Sequence, residues 1–65
     1  MDKFPAQLQK LREQRGMNQK ALGECCGLSK NIIGQYERGE RKPSASSLEK
    51  IADFFDVTTD YLLGR

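Results

Sequence analysis

Apolar residues recur every three or four positions along most of this 65-residue chain, which is the spacing of α-helices that bury one face. The strongest stripe runs through Leu48, Ile51, Ala52 and Phe55. No stretch alternates apolar and polar residues as a half-buried strand does, so we expect no β-sheet. The pattern predicts an all-α fold with helices at about 5–15, 19–26, 30–38, 45–55 and 59–63.

Capping residues and glycines separate these segments. Short polar residues that can accept from free backbone N–H groups precede the last four helices: Asn18, Ser29, one of Ser44, Ser46 and Ser47, and Thr58. Glycines that can adopt the left-handed conformation follow the first three: Gly16, Gly27 and Gly39. A chain this short forms one domain at most, so we interpret residues 1–65 as a single compact five-helix bundle.

Two details of packing are also expected. Gly23 lies inside the second helix, where a glycine costs about 1 kcal/mol relative to alanine, so we expect another helix to approach it closely. Ile33, Tyr36 and Glu37 should face back toward the second helix from the third.

The second and third helices are joined by Cys26-Gly27-Leu28-Ser29. A short turn that contains glycine sets two helices at a large angle, as in a helix-turn-helix. In that unit the second of the two helices enters the major groove of DNA and presents its N-terminal residues to the base edges. The spacing therefore predicts a unit that binds double-stranded DNA.

The outward face of the third helix has the side chains that base recognition needs. Asn31 and Gln35 lie four residues apart, and their amides can pair with adenine, while Lys30 can reach guanine. Ile32 lies nearer the edge, where it either packs on the core or contacts a thymine methyl group. A solvated helix face is the ordinary alternative for Lys30, Asn31 and Gln35.

Phosphate contacts are expected at helix N-termini and from cations that flank the reading helix. The candidates are Asn18, Gln19, Ser29, Arg38, Arg41 and Lys42. The charge distribution agrees, because residues 1–43 hold nine Lys and Arg against five Asp and Glu, whereas residues 44–65 hold two against four.

Composition argues against other kinds of site. Cys25 and Cys26 are adjacent and the chain has no His, so we expect neither a disulfide framework nor a metal site. We also expect no cofactor, no small-molecule ligand, no catalytic activity and no membrane contact. Without a signal peptide or an apolar run of about 20 residues, the chain is expected to be cytoplasmic.

Five segments occur in a characteristic order along the chain: residues 17–24, Gly27-Leu28-Ser29, residues 33–39, Lys42-Pro43, and the ending from Leu48 to Gly64. Together they closely resemble the Cro/cI-type helix-turn-helix family, the phage-repressor-like or Xre-type regulators. The resemblance implies a lambda-repressor-like domain that acts as a homodimer on a near-palindromic operator, usually as a repressor. In that family Glu37 would pair with Arg12 as a structural ion pair. Gly23 and Gly34 depart from the usual alanine and small polar residue.

A protein-interaction module on the same fold, of the antitoxin or anti-repressor type, is the alternative function. It is motivated by the acidic C-terminal half, where Phe54 and Tyr61 are candidates for partly exposed aromatic residues.

Overall fold

The computed structural model describes residues 3–65, which form five helices and no strand. They are α1 (Phe4–Gln14), α2 (Gln19–Cys26), α3 (Lys30–Glu37), α4 (Ala45–Phe55) and α5 (Thr59–Leu63). The all-α prediction is confirmed. Relative to the predicted bounds, α1 lies one residue earlier at both ends and α3 ends one residue sooner, because Arg15 and Arg38 serve as C-caps.

Side-chain caps begin four of the helices. Asn18 Oδ1 accepts from the N–H of Ala21 at 2.7 Å, and Ser29 Oγ accepts from that of Ile32 at 3.1 Å. Ser44 is the cap of α4, which settles the choice among the three serines, and Thr58 caps α5. Each cap satisfies one backbone donor that a helix start leaves without an intrahelical acceptor.

All five helices end in the same way. Past each helix a residue adopts a left-handed conformation, and the next residue donates its N–H to a carbonyl five positions back, which is the Schellman motif. The left-handed residues are Gly16, Gly27, Gly39, Asp56 and Gly64. Each of these helix ends changes the direction of the chain, so that five short helices pack around one core.

That core consists of buried side chains from every helix: Phe4, Leu8, Leu22, Cys26, Ile33, Tyr36, Ile51, Ala52, Phe55 and Leu62. The Tyr36 ring meets Phe4 edge to face at a centroid distance of 5.5 Å. Tyr36 therefore contacts α1, a contact that the sequence pattern did not predict. In contrast to its neighbour Leu62, Tyr61 is 37% exposed.

Gly23 also differs from expectation. A Cβ built on Gly23 would lie 2.6 Å from the carbonyl oxygen of Leu28 and 3.1 Å from the carbonyl carbon of Ser29. The close neighbour is therefore the backbone of the turn, not another helix. Since the N–H of Leu28 also donates to the carbonyl of Gly23 at 2.7 Å, the turn lies directly against α2 at this position.

Arg15 connects the end of α1 to α4. Its guanidinium carbon lies 5.3 Å from the centroids of both the Phe54 and the Phe55 rings, within cation–π range. The apolar stripe of α1 thus ends in a cation that covers two aromatic rings. None of the helices in residues 3–65 has the length and apolar character to cross a bilayer.

Candidate nucleic-acid interface

The outward side of α3 forms one wall of a shallow depression of about 240 Å³. It is lined by Gln19, Lys30, Asn31, Gly34, Gln35 and Arg38. Three of the four predicted base-contacting residues and two of the predicted phosphate-contacting residues therefore meet at one place. Amide, ammonium and guanidinium groups dominate this surface, and they suit the acceptors of base edges and phosphates.

A second hollow adjoins the first at the start of α2. It has a volume of about 470 Å³ and is lined by Arg12, Asn18, Gln19, Lys20 and Lys30. Three of these five side chains are cationic, and the N-terminus of α2 adds backbone N–H groups. Gln19 and Lys30 line both hollows, so the two form one continuous basic surface.

Glu37 is the acidic residue beneath this surface. Its Oε2 accepts from Arg12 Nε at 2.6 Å and its Oε1 accepts from Arg12 Nη2 at 3.0 Å. The two side chains are only 12% and 5% exposed, respectively. The hydrogen bonds to Glu37 raise the pKa of Arg12 above its usual value, so the cation is held charged.

The same carboxylate orients Gln19. Gln19 Nε2 donates to Glu37 Oε1 at 3.2 Å, and Arg12 Nη1 donates to the carbonyl oxygen of Met17 at 2.8 Å. Glu37 thus ties α1, α2 and α3 together and fixes a side chain that faces the depression. The sequence resemblance pointed to the Arg12 contact, but nothing in the sequence signalled the contact to Gln19.

Gly34 leaves space that Arg38 and Gln19 occupy. A Cβ built there would lie 3.0 Å from Arg38 Nη1 and 3.3 Å from Gln19 Oε1. The absence of a side chain at Gly34 lets the guanidinium lie across α3 toward the depression.

Arg38 also forms an ion pair that sequence reasoning missed. Its Nε donates to Glu40 Oε2 at 2.9 Å and its Nη2 donates to Glu40 Oε1 at 3.2 Å. The two side chains are 57% and 54% exposed, respectively. Arg38 lowers the pKa of Glu40 through these hydrogen bonds, so the carboxylate is ionised at neutral pH. The sequence signal that could have predicted this pair is the order Arg38-Gly39-Glu40, in which a carboxylate follows Arg38 by two residues.

The remaining candidates lie outside the depression. Ile32 is half-buried and packs against the core, which favours its structural interpretation. Ser29 is exposed at the N-cap of α3. Arg41 and Lys42 are exposed in the segment between α3 and α4.

The two cysteines differ in exposure. Cys25 is exposed and Cys26 is buried, and both are free thiols. Burial raises the pKa of the Cys26 thiol, as expected for an apolar core residue. Within residues 3–65, no three side chains of the metal-binding types are grouped closely enough to hold an ion.

Known proteins with a helix-turn-helix are similar to this chain in sequence and in fold. Residues 8–62 match the helix-turn-helix family. The HTH-type transcriptional regulator ImmR of Bacillus subtilis is 36% identical over 58 residues, which cover 89% of this chain and 46% of ImmR. The HTH-type transcriptional regulator SutR of Escherichia coli is 44% identical over 50 residues, which cover 77% of this chain and 28% of SutR. The chain spans about half the length of the first curated relatives that it matches.

Solved structures have the same fold. The P22 c2 repressor, in complex with a synthetic operator, superposes on this chain with a TM-score of 0.88 at 30% identity. The match covers 92% of this chain and 91% of the repressor chain. The restriction-modification controller protein C.AhdI of Aeromonas hydrophila superposes with a TM-score of 0.85 at 33% identity. The match covers 92% of this chain and 91% of C.AhdI.

Proposed function

The chain belongs to the helix-turn-helix family, and we propose that it binds specific double-stranded DNA sequences as a transcriptional regulator. The observation that carries this proposal is the depression beside α3, where Lys30, Asn31 and Gln35 meet. In helix-turn-helix units the second helix enters the major groove, which supports α3 as the helix that reads DNA. Because the P22 c2 relative is named a repressor, repression is the mode that we propose.

Base reading is assigned to Lys30, Asn31 and Gln35. The amides of Asn31 and Gln35 are suited to adenine N6 and N7, and the ammonium group of Lys30 to guanine O6 and N7. Ile32 contributes mainly by packing, and its exposed part is available to a thymine methyl group.

Phosphate contacts are assigned to six residues in three groups. The start of α2 supplies its backbone N–H groups and the amides of Asn18 and Gln19. Ser29 acts in the same way at the start of α3, and the cations that follow α3 hold the adjacent backbone: Arg38, Arg41 and Lys42.

We also propose that the protein acts on DNA as a homodimer. A homodimer on a near-palindromic operator would place two copies of α3 in successive major grooves. Since a regulator acts where the DNA is, the protein would act in the cytoplasm of a bacterial cell, from a bacterial or a phage gene. The role is binding without catalysis, as the relatives named as regulators suggest.

A binding titration tests the reading residues. Duplexes selected from a random pool supply a preferred site, and fluorescence anisotropy then compares that site with a scrambled duplex. We expect Asn31→Ala and Gln35→Ala each to reduce the discrimination by about 5- to 150-fold, because each removes an amide pair worth roughly 1–3 kcal/mol.

Gln14→Ala is the matched control, since it removes an exposed amide from α1, outside the α2–α3 unit. It should leave discrimination unchanged. Full discrimination by both Asn31→Ala and Gln35→Ala would refute the assignment of α3 as the reading helix. If the chain shows no salt-dependent affinity for any duplex near 0.1 M salt, DNA binding itself is wrong and the protein-interaction alternative gains.

A further inference from the structure

The backbone at the end of α3 fixes the position of Glu40. Gly39 adopts a left-handed conformation with φ of 73°, and its N–H donates to the carbonyl of Tyr36 at 3.2 Å. The next N–H, that of Glu40, donates to the carbonyl of Gln35 at 2.9 Å. The Schellman motif therefore returns the chain toward α3 and sets Glu40 beside Arg38.

The Arg38–Glu40 contact has the geometry of a phosphate complex. Two parallel N–H donors, Nε and Nη2, meet the two oxygens of one carboxylate at 2.9 and 3.2 Å. This is the same bidentate arrangement by which a guanidinium holds two phosphate oxygens. While the pair is formed, one edge of Arg38 is occupied by an anion that belongs to the protein.

The other side of the Arg38 guanidinium faces the depression. Its Nη1 lies over Gly34, next to Gln19, at the wall of the depression. Because the Nε–Nη2 edge is paired with Glu40, it reaches a DNA phosphate only after it leaves the carboxylate.

We propose that Glu40 is an intramolecular competitor for the DNA phosphate that Arg38 binds, and that it thereby sets the affinity of this interface. The inference rests on the proposed function. Because phosphate contacts are independent of sequence, the competition lowers the affinity for every duplex by a similar factor. Glu40 thus adjusts affinity, whereas Asn31 and Gln35 determine sequence preference.

The exposure of the Arg38–Glu40 pair favours a role in binding over a purely structural one. Both side chains are more than half exposed, and ion pairs of that kind contribute little to folding. Their exchange with an external anion is correspondingly easy, so the pair affects binding more than stability.

The experiment compares Glu40→Gln with Glu49→Gln on a duplex of about 30 base pairs of mixed sequence, titrated at several salt concentrations. Both variants remove one exposed carboxylate, but Glu49 lies in α4 and the ion pair of Arg38 is with Glu40. We expect Glu40→Gln to bind about two- to fivefold more tightly than Glu49→Gln, the range set by a typical exposed ion pair. The slope of log K against log salt should steepen by up to about 0.9, as for one further phosphate contact.

The Arg38→Ala background separates competition from direct repulsion of DNA by the carboxylate. If Glu40 acts through Arg38, the additional gain from Glu40→Gln disappears when Arg38 is absent. A gain that persists or grows in Arg38→Ala would overturn the proposal, as would equal affinities of Glu40→Gln and Glu49→Gln. In both cases the wild-type protein still binds DNA, whereas a wild-type protein that binds no duplex would refute the proposed function as well.

Discussion

At the scale of single residues, the buried carboxylate of Glu37 explains how an acidic group is accommodated beneath a surface proposed to bind DNA. It accepts two hydrogen bonds from Arg12 and one from Gln19, so its charge is compensated inside the protein. An uncompensated carboxylate there would repel phosphate. Glu40 contrasts with it, because the Glu40 carboxylate is exposed and its partner Arg38 faces the depression.

Removal of the Glu37 charge should therefore destabilise the fold. We expect Glu37→Gln to lower the free energy of unfolding by about 2–3 kcal/mol, because Arg12 then lies almost buried without its anion. Loss of a partner from a fully buried pair costs more, about 3–5 kcal/mol, and this pair retains slight exposure. Urea denaturation followed by circular dichroism measures the difference.

Glu40→Gln is the matched control, since it makes the same chemical change in an exposed pair. Its free energy of unfolding in urea should remain close to that of the wild type. Equal stability of Glu37→Gln and the wild type would show that the Arg12–Glu37 pair does not hold the three helices together.

Pair interactions also show where sequence reasoning reaches its limit. The Arg12–Glu37 contact, between residues 25 apart, was expected only from family resemblance. The contacts of Glu37 with Gln19 and of Arg38 with Glu40 were not anticipated, since each depends on where the chain lies after α3 has formed. Residue types therefore indicated which polar side chains line the candidate site. The tertiary structure determines which of these side chains are already hydrogen-bonded to another side chain of the protein.

At the scale of helices, most of the fold follows from local signals. Asn18, Ser29 and Thr58 cap helices as predicted, because a short polar side chain can satisfy a backbone donor wherever the helix begins. Gly23 was interpreted wrongly, because its constraint comes from the carbonyl groups of the following turn. Helical periodicity identifies which face is buried, but it does not identify the atoms on the other side.

The helix ends allow a quantitative test at Gly27, in the turn between α2 and α3. Its φ is 71°, and apart from its two chain neighbours no atom of residues 3–65 lies within 4 Å of a Cβ built there. Gly27→Ala therefore meets no steric clash with neighbours, and the expected loss of about 1–2 kcal/mol comes from the left-handed backbone alone. Thermal denaturation with van't Hoff analysis is the measurement.

Gly27→Asn provides the comparison, because asparagine adopts the left-handed conformation more readily than alanine. It should lose less stability than Gly27→Ala. The interpretation fails if alanine is tolerated at no cost, or if asparagine is the more damaging of the two substitutions.

At the scale of the whole molecule, the proposed interface occupies one side of a body measuring 26 × 24 × 21 Å. The proposed reading helix, α3, has eight residues, a length of about 12 Å at 1.5 Å per residue. A helix of that length contacts only a few consecutive base pairs, so one copy specifies a short sequence. Two copies related by two-fold symmetry would double the sequence that is read.

The dimensions permit that arrangement, and they predict the form of the operator. Two bodies about 25 Å across fit side by side when their reading helices are one turn of DNA apart, about 34 Å. Selection of bound duplexes from a random pool, followed by sequencing, should therefore recover inverted half-sites whose centres lie about 10 base pairs apart. Each half-site should contain adenines where Asn31 and Gln35 approach the bases. Recovery of isolated half-sites or of direct repeats would contradict the symmetric dimer. Such duplexes would still be bound, so that result would not contradict the assignment of α3 as the reading helix.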